Sequence, residues 1–130
     1  MSNVLSDKIV YPELSYKIIG IAFEVYNTLG GGYKEKHYQK ALEIAFRRAL
    51  LTFQSQCSYK VRYKNEIIGR YFMDFVIEDK IVLEIKSGDY YAHRNFNQVK
   101  GYLHATNYKL GILANFTSSG LKYKRVLNIK

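Results

Sequence analysis

Two runs of β-branched and aromatic residues, IIGRYFMDFVI over 67–77 and IVLEIKS over 81–87, stand three polar residues apart, with no proline in either. Runs this apolar, bounded by a short polar break, read as neighbouring antiparallel strands of a sheet covered on both faces. That demand constrains the fold more than any other feature of the chain, because it requires helices on each side. Charge inside such strands is costly, yet Asp74, Glu84 and Lys86 lie within them.

The flanking sequence supplies the helices. Pro12 stands where a helix can start, with Glu13 in its first turn, and Ile18, Ile21, Ala22, Val25 and Leu29 recur at helical spacing up to the glycines at 30–32. YKEKHYQKALEIAFRRALL then puts Tyr38, Ala41, Leu42, Ala45, Phe46 and Ala49 on one stripe. FQSQCSYKVRY opens the strand region before a KNE turn, YAHRNFNQVKGYLHATN returns to helix with Phe96, Val99, Tyr102 and Leu103 on one side, and KLGILANF and GLKYKRVLNIK read as further strands. The expectation is an α/β or α+β layer architecture with a central sheet covered by helices. A length of 130 residues suits one domain over 1–130.

Side chains alternate along a strand, so Phe72, Asp74 and Val76 are expected on one face, and Met73, Phe75 and Ile77 on the other. Val82, Glu84 and Lys86 likewise share a face. Pairing Asp74 with Glu84 leaves Glu78, Asp79 and Lys80 as a three-residue loop, whereas a two-residue loop at Asp79–Lys80 would oppose Asp74 to Ile85. An odd-length loop or a bulge is therefore the condition for the two carboxylates to meet. Two carboxylates so close disfavour each other's ionisation, and Lys86 offsets one charge only. A hard divalent ion such as Mg²⁺ or Mn²⁺ would balance the rest through oxygen ligands. Lys86 would orient an attacking water and stabilise charge on a phosphate. The ordinary alternative is an ion pair between Glu84 and Lys86 on a solvated face.

Composition narrows the partners. Twenty Lys and Arg against 11 acids give a net charge of +9, which favours a polyanion such as nucleic acid. A single cysteine, Cys57, excludes an internal disulfide and a Cys-rich zinc site. No phosphate-binding loop of the G-x-x-x-x-G-K-[ST] type is present, and Gly30 to Gly32 read as a turn between helices. The N-terminal stretch has no long apolar region and no run reaches the length of a membrane span, so a soluble, cytoplasmic protein without a membrane partner is expected.

The hairpin resembles the PD-(D/E)xK nuclease core, in which one hairpin supplies an Asp and a Glu-x-Lys triplet, with Met73 here in place of the motif's proline. Gly32-x-x-Glu35-x-x-Tyr38, together with MDFVIEDKIVLEIKS, NQVKGYLHATNYKLGILANF and KRVLN, resembles the small GxxExxY family, placed within that superfamily. The resemblance implies a central mixed sheet flanked by helices and a Mg²⁺- or Mn²⁺-dependent nuclease acting on DNA, or on RNA. It implies Asp74 and Glu84 as metal ligands, the carbonyl of Ile85 as another, and Lys86 as the catalytic lysine. Glu35 is either a third carboxylate of the site or a first-turn residue favoured by the helix dipole. Gln98 and Tyr102 form Q-x-x-x-Y on one helix face, as in RecB-like members whose helix supports the site, with Tyr102 also readable as a core aromatic. His93, Arg94 and Lys100 flank the cleft as phosphate contacts or stand as solvated groups. Asn95 occupies a position where related sequences carry His. So small a domain leaves specificity to a partner or to a homo-oligomer that clamps the strand. The competing class is a nucleic-acid-binding or interaction module that keeps the nuclease fold without catalysis.

Overall fold

The protein is described by a computed structural model over residues 10–90 and 92–128. The N-terminal stretch before residue 10 and the last two residues of the strand expected over GLKYKRVLNIK lie outside these. Helix α1 spans Pro12–Leu29 and α2 Glu35–Arg48. Strands β1 (Phe53–Tyr63), β2 (Glu66–Ile77) and β3 (Ile81–Ser87) follow, then α3 (His93–Thr106), β4 (Leu110–Thr117) and β5 (Gly120–Leu127). The result is a five-stranded mixed sheet in the order β1-β2-β3-β4-β5 with helices on both faces. All neighbours are antiparallel except β3 and β4, whose parallel pairing is made possible by the crossover through α3.

Each face of the sheet has its own core. Ile18, Ala22 and Val25 of α1 and Tyr38, Leu42 and Phe46 of α2 bury against Phe75, Ile77, Ile81, Leu83 and Ile85. Val99, Tyr102 and Leu103 of α3 bury against Met73, Val76, Val82, Leu113 and Val126 on the other face. The double covering accounts for the apolar strands. Gly111 lets α3 approach closely, since a Cβ there would lie 2.6 Å from Val99 Cγ1.

The β2–β3 connection is the three-residue loop that the carboxylate pairing requires. Ile77 pairs with Ile81, Val76 with Val82 and Phe75 with Leu83. Glu78 and Asp79 take left-handed φ values of 54° and 53°, the Lys80 N–H donates to the Ile77 carbonyl at 3.0 Å, and Lys80 is the additional residue that sets the phase. The Glu78 carboxylate accepts hydrogen bonds from the Thr52 N–H at 2.7 Å and its hydroxyl at 2.8 Å, tying the loop to the start of β1.

One expectation fails along β2. Met73 does not share a face with Phe75 and Ile77; it packs beneath α3 with Val76, while Phe75 and Ile77 face α1 and α2. Strand β1 changes in step, for Phe53 packs toward α1 and α2 and Cys57 toward α3. The change occurs at Gln56 and Asp74, where the run of paired residues passes from Ser55↔Phe75 to Cys57↔Met73 without a Gln56–Asp74 pair. Gln56 adopts a left-handed φ of 52°. The register is kept, but the side chains of both strands switch faces at the residue that carries the acid.

Candidate active site

Asp74 and Glu84 meet where β2 and β3 cease to pair. The register that ends at Phe75↔Leu83 puts them opposite one another at the next position. There, side-chain bonds take the place of the ladder. The Ile85 N–H donates to Asp74 Oδ2 at 2.8 Å, and the Asp74 N–H donates to Glu84 Oε1 at 3.3 Å. Each acid is thus held by the backbone of the opposite strand, which fixes both carboxylates on rigid elements.

The electrostatics are those of like charges in a poorly solvated place. Glu84 is only 4% exposed, and its carboxyl is pushed up to about 8, first by burial and then by the negative charge of Asp74. Burial also raises Asp74, opposed by the Ile85 N–H and then by Lys86. Lys86 Nζ lies 3.6 Å from Glu84 Oε2. One cation facing two carboxylates leaves the cluster short of positive charge. Tyr102, on the buried face of α3, has its hydroxyl raised first by burial and then by the charges of Glu84 and Asp74. It is a core residue, stacked edge-on against Tyr71 with ring centroids 5.1 Å apart.

Two glutamines support Asp74 that the sequence did not single out. Gln56 Nε2 donates to Asp74 Oδ1 at 3.4 Å, and Gln39 Nε2, buried on α2, donates to the Asp74 carbonyl and to Glu43 Oε2, both at 3.3 Å. A signal for Gln39 was present: it lies one residue from Tyr38 on the buried side of α2, where an amide must find partners. Gln56 carried none, because nothing in its type announces a left-handed backbone.

A cleft of about 460 Å³ opens between α2 and the strands, lined by Glu35, Gln39, Glu43, Gln56, Asp74 and Ile85, with Lys36 and Lys40 at its edge. Glu35 therefore borders the same cleft as Asp74. Among the described residues no three His, Cys, Asp or Glu side chains form a metal-holding cluster, so Glu35 stands on the wall and does not join the pair. Its position follows from the preceding loop. The Tyr38 hydroxyl donates to the Gly30 carbonyl at 2.6 Å and accepts from the Tyr33 N–H at 3.3 Å, while its ring stacks on Phe116 at 4.2 Å. Gly32 holds a φ of 93°, and a Cβ on Gly31 would meet the Thr117 carbonyl at 2.6 Å. Gly31, Gly32 and Tyr38 thus fasten the loop that delivers Glu35.

On α3 the structure matches the ordinary alternatives for Tyr102, His93, Arg94 and Lys100: a core aromatic and exposed groups. Gln98 is exposed while Tyr102 is buried, so of these two neighbours on the helix only Tyr102 joins the buried stripe of Val99, Tyr102 and Leu103. His93, Arg94 and Lys100 are exposed at and after the start of α3. His93 stacks on Phe96 at 5.9 Å, and Lys100 lies over the same ring at 5.9 Å. Asn95 is half-buried. No helix among the described residues is long and apolar enough to cross a membrane.

The donor set fits a divalent cation. Two carboxylates present hard oxygen ligands, their charges are under-compensated, and a dication would relieve the repulsion that raises Glu84. Comparison with known proteins bears on the fold and the superfamily. Among solved structures, the "Crystal structure of SSO0001" superposes with a TM-score of 0.58 at 14% sequence identity, covering 73% of this chain. The chain spans half the length of that protein, and the likeness concerns the fold. No curated protein matches. A family model described as the PD-(D/E)XK nuclease superfamily matches residues 12–126, which includes the hairpin, both of its carboxylates and Lys86. That match takes in nearly every described element, and the chain belongs to the PD-(D/E)XK nuclease superfamily.

Proposed function

We propose that the protein is a divalent-metal-dependent nuclease that hydrolyses phosphodiester bonds of DNA or RNA. The observation that carries this reading is the reciprocal bonding of Asp74 and Glu84 at the β2–β3 fork, beside Lys86 and open to a cleft. Asp74, Glu84 and the carbonyl of Ile85 would hold Mg²⁺ or Mn²⁺, with Glu35 at the rim of the same cleft. When bound, the ion supplies Lewis-acid stabilisation of charge on the phosphate and activates water as the nucleophile.

The remaining work falls to the chain itself. The Ile85 N–H and Gln56 each hold one oxygen of Asp74, which leaves its carboxylate a single orientation. Lys86, at the mouth of the fork, orients the attacking water and stabilises the negative charge that grows on the phosphoryl oxygens. Lys36 and Lys40 along the cleft, within a chain of net charge +9, draw in a polyanionic strand.

The test is cleavage of single- and double-stranded DNA and RNA with Mg²⁺, with Mn²⁺ and with EDTA, alongside calorimetric titration of each metal. Wild type should bind the metal and cut, while Glu84→Ala should do neither and Lys86→Ala should bind metal without cutting. Nucleic-acid binding by wild type, with neither metal uptake nor cutting, would make the protein a binding module on a nuclease fold.

A further inference from the structure

A second recess lies on the α3 face of the sheet, one strand beyond Lys86. The register puts Lys86, Asn115 and Lys122 in one row across β3, β4 and β5, and Glu84, Leu113 and Lys124 in the next. Paired residues share a face, and adjacent strands lie about 4.8 Å apart, so these rows are continuous with the carboxylate site. Helix α3 covers Leu113 and Val126 and starts at His93, and a recess borders the Asn115 row. The recess measures about 400 Å³ and is bordered by Asn115, Leu113, Ser118, Ser119, Lys122 and Lys124.

Its floor holds an unmet demand. Asn115 is only 8% exposed, and its Oδ1 is buried without a hydrogen-bond partner. A buried acceptor in that condition calls for a ligand with an N–H or O–H. The recess is also lined by the apolar Leu113 and by Lys122. Asp89, also at the border, is engaged by the Ser118 N–H at 2.7 Å and its hydroxyl at 2.8 Å, which fastens the β4–β5 turn. The combination suits one nucleotide: a phosphate for Lys122, a sugar or base face for Leu113, and an amino or hydroxyl donor for Asn115.

We infer that this recess takes a single unpaired nucleotide of the strand whose phosphodiester lies at Asp74 and Glu84. The inference rests on the nuclease reading for the identity of the polymer. A base-paired nucleotide cannot enter, since the acceptor lies at the bottom of a recess that a base reaches only by leaving its partner and its stack. The site therefore selects single strands or frayed ends.

Fluorescence anisotropy with a labelled short single strand and the matching blunt duplex, in EDTA so that nothing is cut, tests this. Lys122→Glu should weaken single-strand binding about tenfold and flatten its salt dependence, with the duplex almost unchanged. Asn115→Ala should weaken single-strand binding several-fold at roughly constant salt slope, and the surface Lys122→Glu change keeps the test open if Asn115→Ala misfolds. Wild-type single-strand affinity in both variants, or equal losses on duplex and single strand, would overturn the proposal. Cutting assays on the same samples separate the two readings. A wild type that cuts while both variants bind normally refutes the recess alone. A wild type that cuts nothing, with single-strand binding lost in both variants, refutes the nuclease and supports the recess.

Discussion

Replacing Glu84 by Gln should stabilise the metal-free fold above neutral pH while destroying the site. The substitution keeps the shape and keeps an oxygen for the Asp74 N–H, but it removes one of two buried like charges. In the folded protein the Glu84 carboxyl sits at about 8 against an ordinary 4.5. Between those values the folded state retains a proton that the unfolded chain has released. The native state then binds more protons, so stability falls as pH rises from 4.5 to about 8 and levels off beyond. At about 1.36 kcal/mol per decade the ceiling is roughly 5 kcal/mol, and structural relaxation brings the expected gain to about 1–3 kcal/mol. Loss of the Lys86 ion pair offsets part of this, because Lys86 is a quarter exposed. Urea denaturation in EDTA at roughly pH 5, 6.5 and 8.5 measures it, with the two proteins converging at the acid end. Adding Mg²⁺ should raise the midpoint of the wild type and leave Glu84→Gln unmoved. A variant less stable than wild type at the alkaline end, or with the same pH slope, would refute the argument that charge repulsion at the fork is what the metal relieves.

Gln56→Ala should lower metal affinity about tenfold, because Asp74 Oδ1 loses its anchor, yet change stability by less than about 0.5 kcal/mol since Gln56 is exposed; calorimetry and urea melts on the same samples check both halves. Gly31→Ala should destabilise by about 1–3 kcal/mol, since the new Cβ would meet a backbone carbonyl, that of Thr117, which cannot swing aside; a urea midpoint equal to wild type would contradict the contact.

Much of the fork was legible in the sequence because it depends on parity. An odd number of residues between Ile77 and Ile81 is enough to bring Asp74 opposite Glu84, and the loop of Glu78, Asp79 and Lys80 has that number. Element order was readable for a similar reason, since period and apolar runs alternate cleanly from Pro12 to Leu127. The switch of faces at Gln56 and Asp74 was not readable. It depends on a left-handed φ at a glutamine, and on a carboxylate taking the Ile85 N–H that would otherwise serve the sheet. Met73 is as apolar as its neighbours, so hydropathy alone could not say which core it joins. The support from Gln39 and the demand at Asn115 also escaped, because both arise from packing between elements distant in the chain. The exposure of Gln98 was not readable either: a spacing of four puts it beside Tyr102 on α3, but only packing decides that Val99, Tyr102 and Leu103 are buried and Gln98 is not.

The switch at Asp74 also divides the long β1–β2 hairpin into two independently supported lengths. The inner length belongs to the core under α1 and α2; the outer length, from Cys57 and Met73 to the tip at Lys64 and Asn65, leans on α3 near its base and on nothing comparable farther out. Its tip turns through φ values of 48° and 70°, and the pairing already tolerates a shift between Val61 and Arg62. Added or deleted residue pairs near that tip would therefore change the reach of the arm without moving the carboxylates. The hairpin is a place where length can vary freely, and where a peptide or reporter could be grafted while the fork stays intact.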